Sequence, residues 1–137
     1  MTDVIIKDNI ENLIYEIRGK QVMLDSDLAR LYECKNGTKD INKAVKRNID
    51  RFPTDFYFQL TQKEYNDLRF QNGTTKRQNM SRTLPHVFTE QGVAMLASVL
   101  RTSVASEVSI NIMRAFVAMK RYIDMNEWWR NIYRVTK

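Results

Sequence analysis

The stretch of chain from Asp25 to Pro53 constrains the fold most, because it has the pattern of two short helices joined by a turn. Asp25 or Ser26 can accept hydrogen bonds from the free N–H groups at a helix start, and apolar residues then recur at helical spacing as far as Tyr32. Asn36 and Gly37 follow, two residue types that tolerate a left-handed backbone and readily end helices. The pattern predicts a pair of helices that resembles a helix-turn-helix motif.

The second helix of this pair is predicted to begin at Thr38, which can cap it, and to be amphipathic. Its apolar side consists of Ile41, Ala44, Val45 and Asn48. Its opposite side is almost purely cationic and consists of Lys39, Asn42, Lys43, Lys46 and Arg47. A face of this kind is often only a solvated surface. Because no Glu→Lys pair at i,i+4 spacing neutralises these charges, we interpret it instead as a surface that binds a polyanion.

The distribution of charge supports nucleic acid as the partner. The chain of 137 residues has a net charge of +6. Residues 1–34 carry 4 Lys and Arg against 7 Asp and Glu, whereas residues 35–86 carry 11 against 5 and residues 87–137 carry 7 against 4. Polyanions bind such a positive middle segment through counterion release. A membrane surface would require large apolar residues on the same face, so we expect double-stranded DNA and no membrane.

A polar stretch between residues 70 and 83 carries further cations and is predicted to be a surface loop. On DNA, such a loop can lie along the phosphate backbone. The residues expected to contact DNA are Lys39, Asn42, Lys43, Lys46, Arg47, Arg51, Lys76, Arg77 and Arg82. Among them, Asn42, Lys43 and Lys46 are expected at base edges, because they lie nearest the centre of the exposed face, and the others at phosphates.

The rest of the chain predicts one α+β domain over residues 1–123, a compact helical domain with a small antiparallel β-sheet or hairpin. A short helix from about Asn9 precedes the hairpin strands Tyr15–Ile17 and Gln21–Leu24, which are joined by a turn at Arg18-Gly19, and residues 55–60 form a further strand. Helices are predicted for residues 62–70 after a capping box at Thr61, for residues 90–102 after a cap at Thr89, and for about 105–124. The last of these has the widest apolar face and is expected to be the central core helix.

Residues 124–137 form a C-terminal tail that is rich in aromatic residues, with Trp128, Trp129, Ile132 and Tyr133 at roughly helical spacing. Such a segment is not expected to stay bare in water. It can pack back on the core, form a dimer contact, or lead into a further segment, and the sequence does not rank these alternatives. A homodimer is also expected on general grounds, because one short recognition helix rarely supplies enough specificity alone.

The chemistry required for catalysis is largely missing from the sequence. His86 is the only histidine, Cys34 is the only cysteine, and the four glycines form no phosphate-binding loop. We therefore expect no enzyme activity, no cofactor and no metal site, although a nuclease that uses scattered carboxylates and a metal is the alternative. The N-terminal residues MTDVIIKDN lack the basic start of a signal peptide, so a cytoplasmic location is expected.

Three blocks of sequence resemble a known family. They are LDSDLARLY, TKDINKAVKRNIDRFPTDFYFQLT and LPHVFTEQGVAMLASVL, followed by INIMRAFV. Over roughly Ile10 to Tyr122 they resemble the ORF-six N-terminal domain, a branch of the KilA-N and Bro-N superfamily of phage antirepressor type. The resemblance implies an α+β DNA-binding module of phage and mobile-element regulators. Its recurrent TK-x-x-N-x-AVKRN block falls on Thr38 to Asn48, and its RFP block on Arg51 to Pro53. His86 stands where an aromatic residue such as Tyr is expected.

The main rival is a protein-interaction antirepressor module that captures a repressor protein and does not touch DNA. Its cationic face would then meet an acidic protein surface. RNA is a weaker candidate, because the chain has no sheet motif studded with aromatic residues of the RNA-recognition kind.

Overall fold

A computed structural model describes residues 10–71 and 83–135 and confirms an α+β domain. The strands are β1 Ile14–Ile17, β2 Lys20–Leu24, β3 Tyr57–Gln59 and β4 His86–Thr89. The helices are α1 Asp25–Leu31, α2 Thr38–Arg47, α3 Gln62–Gln71, α4 Glu90–Leu100 and α5 Ser103–Val135. Two single 3₁₀ turns, Glu11–Leu13 and Ile49–Arg51, precede β1 and follow α2. Among the described residues, no helix combines the length and apolar character needed to cross a membrane.

The four strands form one antiparallel sheet in the order β1-β2-β4-β3. The predicted hairpin is confirmed, and each of its strands begins one residue earlier than expected. At its turn Arg18 and Gly19 both have positive φ angles, of 56° and 73°, as the tightest hairpin turns require. Strand β3 is shorter than the predicted strand, because Pro53 to Phe56 form a turn in which the Pro53 carbonyl accepts the N–H of Phe56.

The sheet separates two apolar clusters because neighbouring residues of a strand point to opposite faces. Met23 and Phe88 are fully buried on the face covered by α1, α2, α4 and α5. Val22 and Val87 are fully buried on the other face, where they pack with Leu68 of α3. The domain is thus layered, with one helix on one side of the sheet and the larger core on the other.

The predicted helix caps were right at two helices. At α3 the Glu64 N–H donates to the Thr61 hydroxyl at 3.1 Å, and the Thr61 N–H donates to the Glu64 carboxylate at 2.8 Å, which completes the capping box. At α4 the Thr89 hydroxyl accepts the Gly92 N–H at 3.3 Å. The cap predicted for α1 was right only in part: the Asp25 carboxylate accepts the free Ser26 N–H at 2.7 Å, but the helix begins at Asp25 itself, and the N-cap residue Leu24 supplies no side-chain cap.

Helix α5 is longer than predicted. It runs for 33 residues, because no glycine, proline or other helix-breaking signal follows Asp124. Ile112 and Phe116 are fully or almost fully buried, which confirms α5 as a core helix, whereas Val117 of the same helix is 47% exposed. The predicted boundary between residues 123 and 124 falls inside this helix, and a further segment beyond it stays a prediction.

Candidate nucleic-acid interface

Helix α2 is held on the domain by its apolar side. Ile41 is fully buried and Val45 is 2% exposed, and the helix packs against α1 and α4. Ala44 and Asn48 are half-buried, and the Asn48 side chain donates to the Ala44 carbonyl at 2.9 Å, which satisfies one free carbonyl near the helix end. The predicted apolar face of the second helix is therefore confirmed.

The turn between α1 and α2 is built differently from the prediction. Glu33, not Asn36 or Gly37, takes the left-handed conformation that ends α1, and the Cys34 N–H then donates to the Ala29 carbonyl at 2.9 Å. Gly37 also has a positive φ, of 61°, but it lies at the start of α2.

The side chain of Thr38 does not cap α2, in contrast to the prediction. Instead, the carboxylate of Asp40 reaches back across the turn and accepts the Asn36 N–H at 3.1 Å and its amide Nδ2 at 3.2 Å. These hydrogen bonds hold the pKa of Asp40 below its usual value. The negative charge also lies in the first helical turn, where the macrodipole favours it. Asp40 therefore sets the direction in which α2 leaves the turn.

The outer side of α2 is cationic and open. We define the cationic face as Lys39, Lys43, Lys46 and Arg47 of α2 together with Arg51 of the following 3₁₀ turn. All five residues are exposed, and none of them forms a salt bridge within the described part of the chain. The salt bridges that are present there join Arg18 to Glu64 and Arg30 to Asp27, with a long contact of 3.9 Å between His86 and Asp25.

Asn42 does not lie at the centre of this exposed face, so that part of the prediction was wrong. It is half-buried, and its Oδ1 is buried with no hydrogen-bond partner among the described residues. The reason is geometric, because a residue next to Ile41 lies about 100° away around the helix, at the border between the two faces. Bidentate pairing with adenine needs both amide atoms. In this conformation Asn42 cannot provide both.

Asn42 lines a cavity of about 790 Å³ whose wall combines polar and apolar residues of α1, α2, α3 and the sheet. The charged residues of its wall include Asp25, Asp27, Arg30, Lys39 and Arg69. Burial raises the pKa of both aspartates, although the Arg30 guanidinium, which donates to Asp27 at 3.2 Å, opposes this shift at Asp27. The sequence did not predict that Asp25 and Asp27 are buried, because an Asp pair at a helix start usually indicates an exposed cap.

Asp25 joins helix α1 to the sheet. Its carboxylate accepts the Ser26 N–H at 2.7 Å and the His86 N–H at 3.1 Å. The His86 ring stacks on Tyr57 with the two ring centroids 4.8 Å apart, in parallel planes. Burial lowers the pKa of His86 and therefore favours the neutral ring. The nearby Asp25 carboxylate has the smaller, opposing effect of raising this pKa. His86 thus packs as an aromatic residue, the type expected at this position.

The segment after α2 is fixed to the core and holds Arg51 beside the helix. Phe52 is 4% exposed, and its ring meets those of Tyr57 and Phe88 edge-on, with 6.0 Å between centroids in each pair. The Thr89 hydroxyl donates to the Asp55 carbonyl at 2.9 Å. A Cβ atom at Gly92 would lie 1.9 Å from the Phe56 carbonyl oxygen, so only glycine permits this approach.

The three loop residues predicted to contact phosphates, Lys76, Arg77 and Arg82, lie outside the described residues. The structure therefore brings together Lys39, Lys43, Lys46, Arg47 and Arg51 on one surface. The participation of the loop stays a prediction.

The molecule is thus a small α+β domain that displays an exposed cationic helix as the second member of a helix-turn-helix-like pair. A comparison with protein families matches the ORF6N domain over residues 12–99, more than half of the chain, and the protein belongs to this phage-associated family. The match runs from the 3₁₀ turn before β1 almost to the end of α4, so it contains α2 and excludes α5. No curated protein and no solved structure matches the chain.

Proposed function

We propose that this ORF6N domain binds double-stranded DNA by placing α2 in the major groove. The observation that carries the proposal is the cationic face, which is exposed and has no salt-bridge partner in the described part of the chain. A packed core holds this face outward through Ile41 and Val45. Unpaired cations on a rigid helix are suited to phosphates and to the acceptor atoms of base edges.

The geometry of α2 suggests a division of roles. An α-helix with its side chains is about 10–12 Å in diameter and therefore fits into a major groove that is about 12 Å wide, and the 10 residues of α2 place roughly 15 Å of helix there. Lys43 lies at the centre of the outer side, with Lys46 beside it, and a lysine can donate to the O6 and N7 acceptors of guanine. Lys39, Arg47 and Arg51 would then hold phosphates on either side. Asn42 can contribute only after its side chain has turned outward.

We also propose a finer role, which goes beyond the family match. The domain would have a regulatory function of the antirepressor type, within the KilA-N and Bro-N superfamily, rather than a catalytic one. We propose that the domain acts on transcription in the cytoplasm without a cofactor. The loop cations Lys76, Arg77 and Arg82 would add phosphate contacts beside those of α2.

The second candidate is a protein-interaction module that captures a repressor protein. The observation in its favour is the exposed apolar surface of α5, where Trp128 and Trp129 are 56% and 59% exposed. This surface is distinct from the cationic face, so a protein contact there is compatible with DNA binding through α2.

Selection from a pool of random DNA duplexes at low salt tests the proposal. We expect the wild-type chain to retain duplexes and to enrich a preferred sequence. Lys43→Ala combined with Lys46→Ala should weaken binding roughly tenfold or more, because base-edge and phosphate contacts are lost together. The matched control is Lys20→Ala with Lys63→Ala, which removes two exposed lysines outside α2 and should leave affinity nearly unchanged. Failure of the wild-type chain to retain any duplex would favour the protein-interaction module.

A further inference from the structure

Helix α5 exposes apolar side chains along much of its length. Ile110 is 53% exposed, Val117 47%, Tyr122 64%, Met125 62%, and Trp128 and Trp129 are similarly open to solvent. Exposed apolar surface that is continuous along one element is typical of an interaction site. This part of the chain lies outside the residues that match the family, so the surface is a feature of this chain beyond the matched domain.

The exposed side of α5 has coiled-coil spacing. We define the outer stripe as Ile110, Arg114, Val117, Arg121, Asp124 and Trp128, all of which are exposed. Successive members are alternately four and three residues apart, which keeps them on one line when two helices wind around each other. The buried residues Ile112 and Phe116 lie on the opposite side, so the outer stripe faces away from the core.

The charges of the outer stripe select the orientation of a second helix. If two copies of α5 packed in parallel, each residue would meet its own counterpart, and Arg114, Arg121 and Asp124 would each face a like charge. In an antiparallel pair, Arg121 of one copy can instead lie opposite Asp124 of the second copy. Two-fold symmetry repeats this attractive pair, so both arginine–aspartate contacts form together.

The same antiparallel register pairs two of the apolar members. With Arg121 opposite Asp124 of the second copy, Val117 lies opposite Trp128 of that copy. A shift by one heptad in one direction would pair Arg114 with Asp124 and Ile110 with Trp128, but it would place Val117 opposite Arg121. A shift in the other direction would place Asp124 opposite Trp128. Both shifts bring a charge against an apolar residue, whereas no pair within the outer stripe does so in the proposed register.

An apolar groove lies beside Val117, at the position that Trp128 of the second copy would occupy. It has a volume of about 660 Å³ and lies between α4 and α5. Its lining includes Ala94 and Ala97 of α4 and Met113 and Val117 of α5. Small alanines beside Val117 leave room for a large ring, and a tryptophan in an apolar pocket is the commonest kind of anchor at a protein interface.

We propose that a second copy of this chain covers the outer stripe, so that two α5 helices form an antiparallel pair with Arg121 opposite Asp124 and with Trp128 in the groove of the other copy. The polar pairs specify register and orientation, and the tryptophans supply most of the affinity. This assignment does not depend on DNA binding by α2.

Sedimentation equilibrium of the full chain and its charge variants tests the register. The wild-type chain should form dimers in a concentration-dependent way. Arg121→Asp and Asp124→Arg should each weaken dimerisation roughly tenfold or more, because both symmetric contacts become repulsive. The double variant that carries both changes should recover wild-type dimerisation. An equimolar mixture of the two single variants should form heterodimers, because every contact is then attractive again.

The two neighbouring tryptophans provide a matched control. Trp128→Ala should weaken dimerisation on the order of 100-fold, since each dimer loses two buried anchors. Trp129→Ala removes an equally exposed ring that lies about 100° away around the helix, and it should change dimerisation much less. Far-ultraviolet circular dichroism should show that all variants keep their helical content.

Three results would overturn the proposal. They are a wild-type chain that stays monomeric at the highest concentration it tolerates, equal effects of the two tryptophan variants, and charge variants whose double change fails to recover the dimer. A monomeric wild-type chain that still binds DNA would leave the proposal for α2 intact, so the two ideas fail separately.

Discussion

Helices α2 and α5 have similar apolar buried faces, but their exposed faces differ in chemical character. Each is held by fully buried isoleucines, Ile41 in α2 and Ile112 in α5. The exposed side of α2 carries lysines and arginines, whereas the outer stripe of α5 combines the apolar residues Ile110, Val117 and Trp128 with charges of both signs. Water solvates a lysine well, so the cationic face can stay exposed to solvent in the free protein. Burying an exposed tryptophan against a partner is favourable, so the outer stripe favours a protein partner.

This contrast shows how a small domain can separate two binding surfaces. The cationic face can bind a polyanion through charge, with a strong dependence on salt. The outer stripe can bind through apolar contact, with charge used mainly for orientation. Because the two faces lie on different helices, a change in one should leave the other unaffected.

The largest effect is expected from the buried side of α2. Ile41→Ala should lower the free energy of unfolding by about 2–4 kcal/mol, because it leaves a cavity beneath the helix. Chemical denaturation followed by circular dichroism measures this loss. Ile112→Ala is the counterpart in α5 and should cost a similar amount. Among molecules that remain folded, only Ile41→Ala should also weaken DNA binding, and equal DNA binding by both variants would contradict the assigned role of α2.

A smaller effect is expected at Gly92, in the helix that packs against both α2 and α5. Gly92→Ala should lower the free energy of unfolding by about 1–3 kcal/mol, because the new methyl group would overlap the Phe56 carbonyl oxygen and displace the segment after α2. Gln91→Ala, at an exposed neighbouring position, should change stability by less than about 0.5 kcal/mol. Thermal unfolding of the two variants distinguishes them, and a stable Gly92→Ala protein would refute the close packing described here.

The smallest effect concerns a cation that is paired, unlike those of the cationic face. Arg18 donates to Glu64 at 2.7 Å and 3.0 Å, and this pairing lowers the pKa of Glu64 to about 2. The folded-state pKa lies below the unfolded value, so the pair adds stability above about pH 4.5, which is lost as the pH falls towards about 2.

Arg18→Gln should therefore lower the free energy of unfolding by up to about 1 kcal/mol at neutral pH, since the pair lies near the surface. The difference between variant and wild type should shrink as the pH falls below about 4.5. Urea unfolding at several pH values measures it. A difference that stays constant with pH would mean that the ion pair is not the cause.

Local patterns were sufficient to predict most of the elements. The Arg18-Gly19 turn, the capping box at Thr61 and the cap at Thr89 depend only on residues close in sequence, and all three were predicted correctly. The pairing of β2 with β4 depends on residues more than sixty positions apart, and no local signal reports it. A small antiparallel sheet could therefore be predicted from the sequence, but the order of its strands could not.

The candidate site was predicted less completely for a related reason. Helical periodicity identified the exposed lysines, but it could not decide the orientation of a residue at the border of two faces, and it wrongly placed Asn42 at the centre of the exposed face. The end of α5 was missed because the aromatic-rich residues 124–137 were assigned to a separate tail, although nothing in them stops a helix. Tertiary packing decides such positions, and periodicity alone does not.

The salt dependence of binding to a DNA duplex tests the central claim most directly. If Lys39, Arg47 and Arg51 and two of the loop cations each neutralise one phosphate, the logarithm of the binding constant should fall with the logarithm of salt concentration at a slope of about −4 to −5. Lys39→Ala combined with Arg47→Ala should make this slope shallower by about 2, whereas Lys20→Ala combined with Lys63→Ala should leave it unchanged. An equal slope in all three proteins would contradict the claim that α2 is the surface that holds DNA.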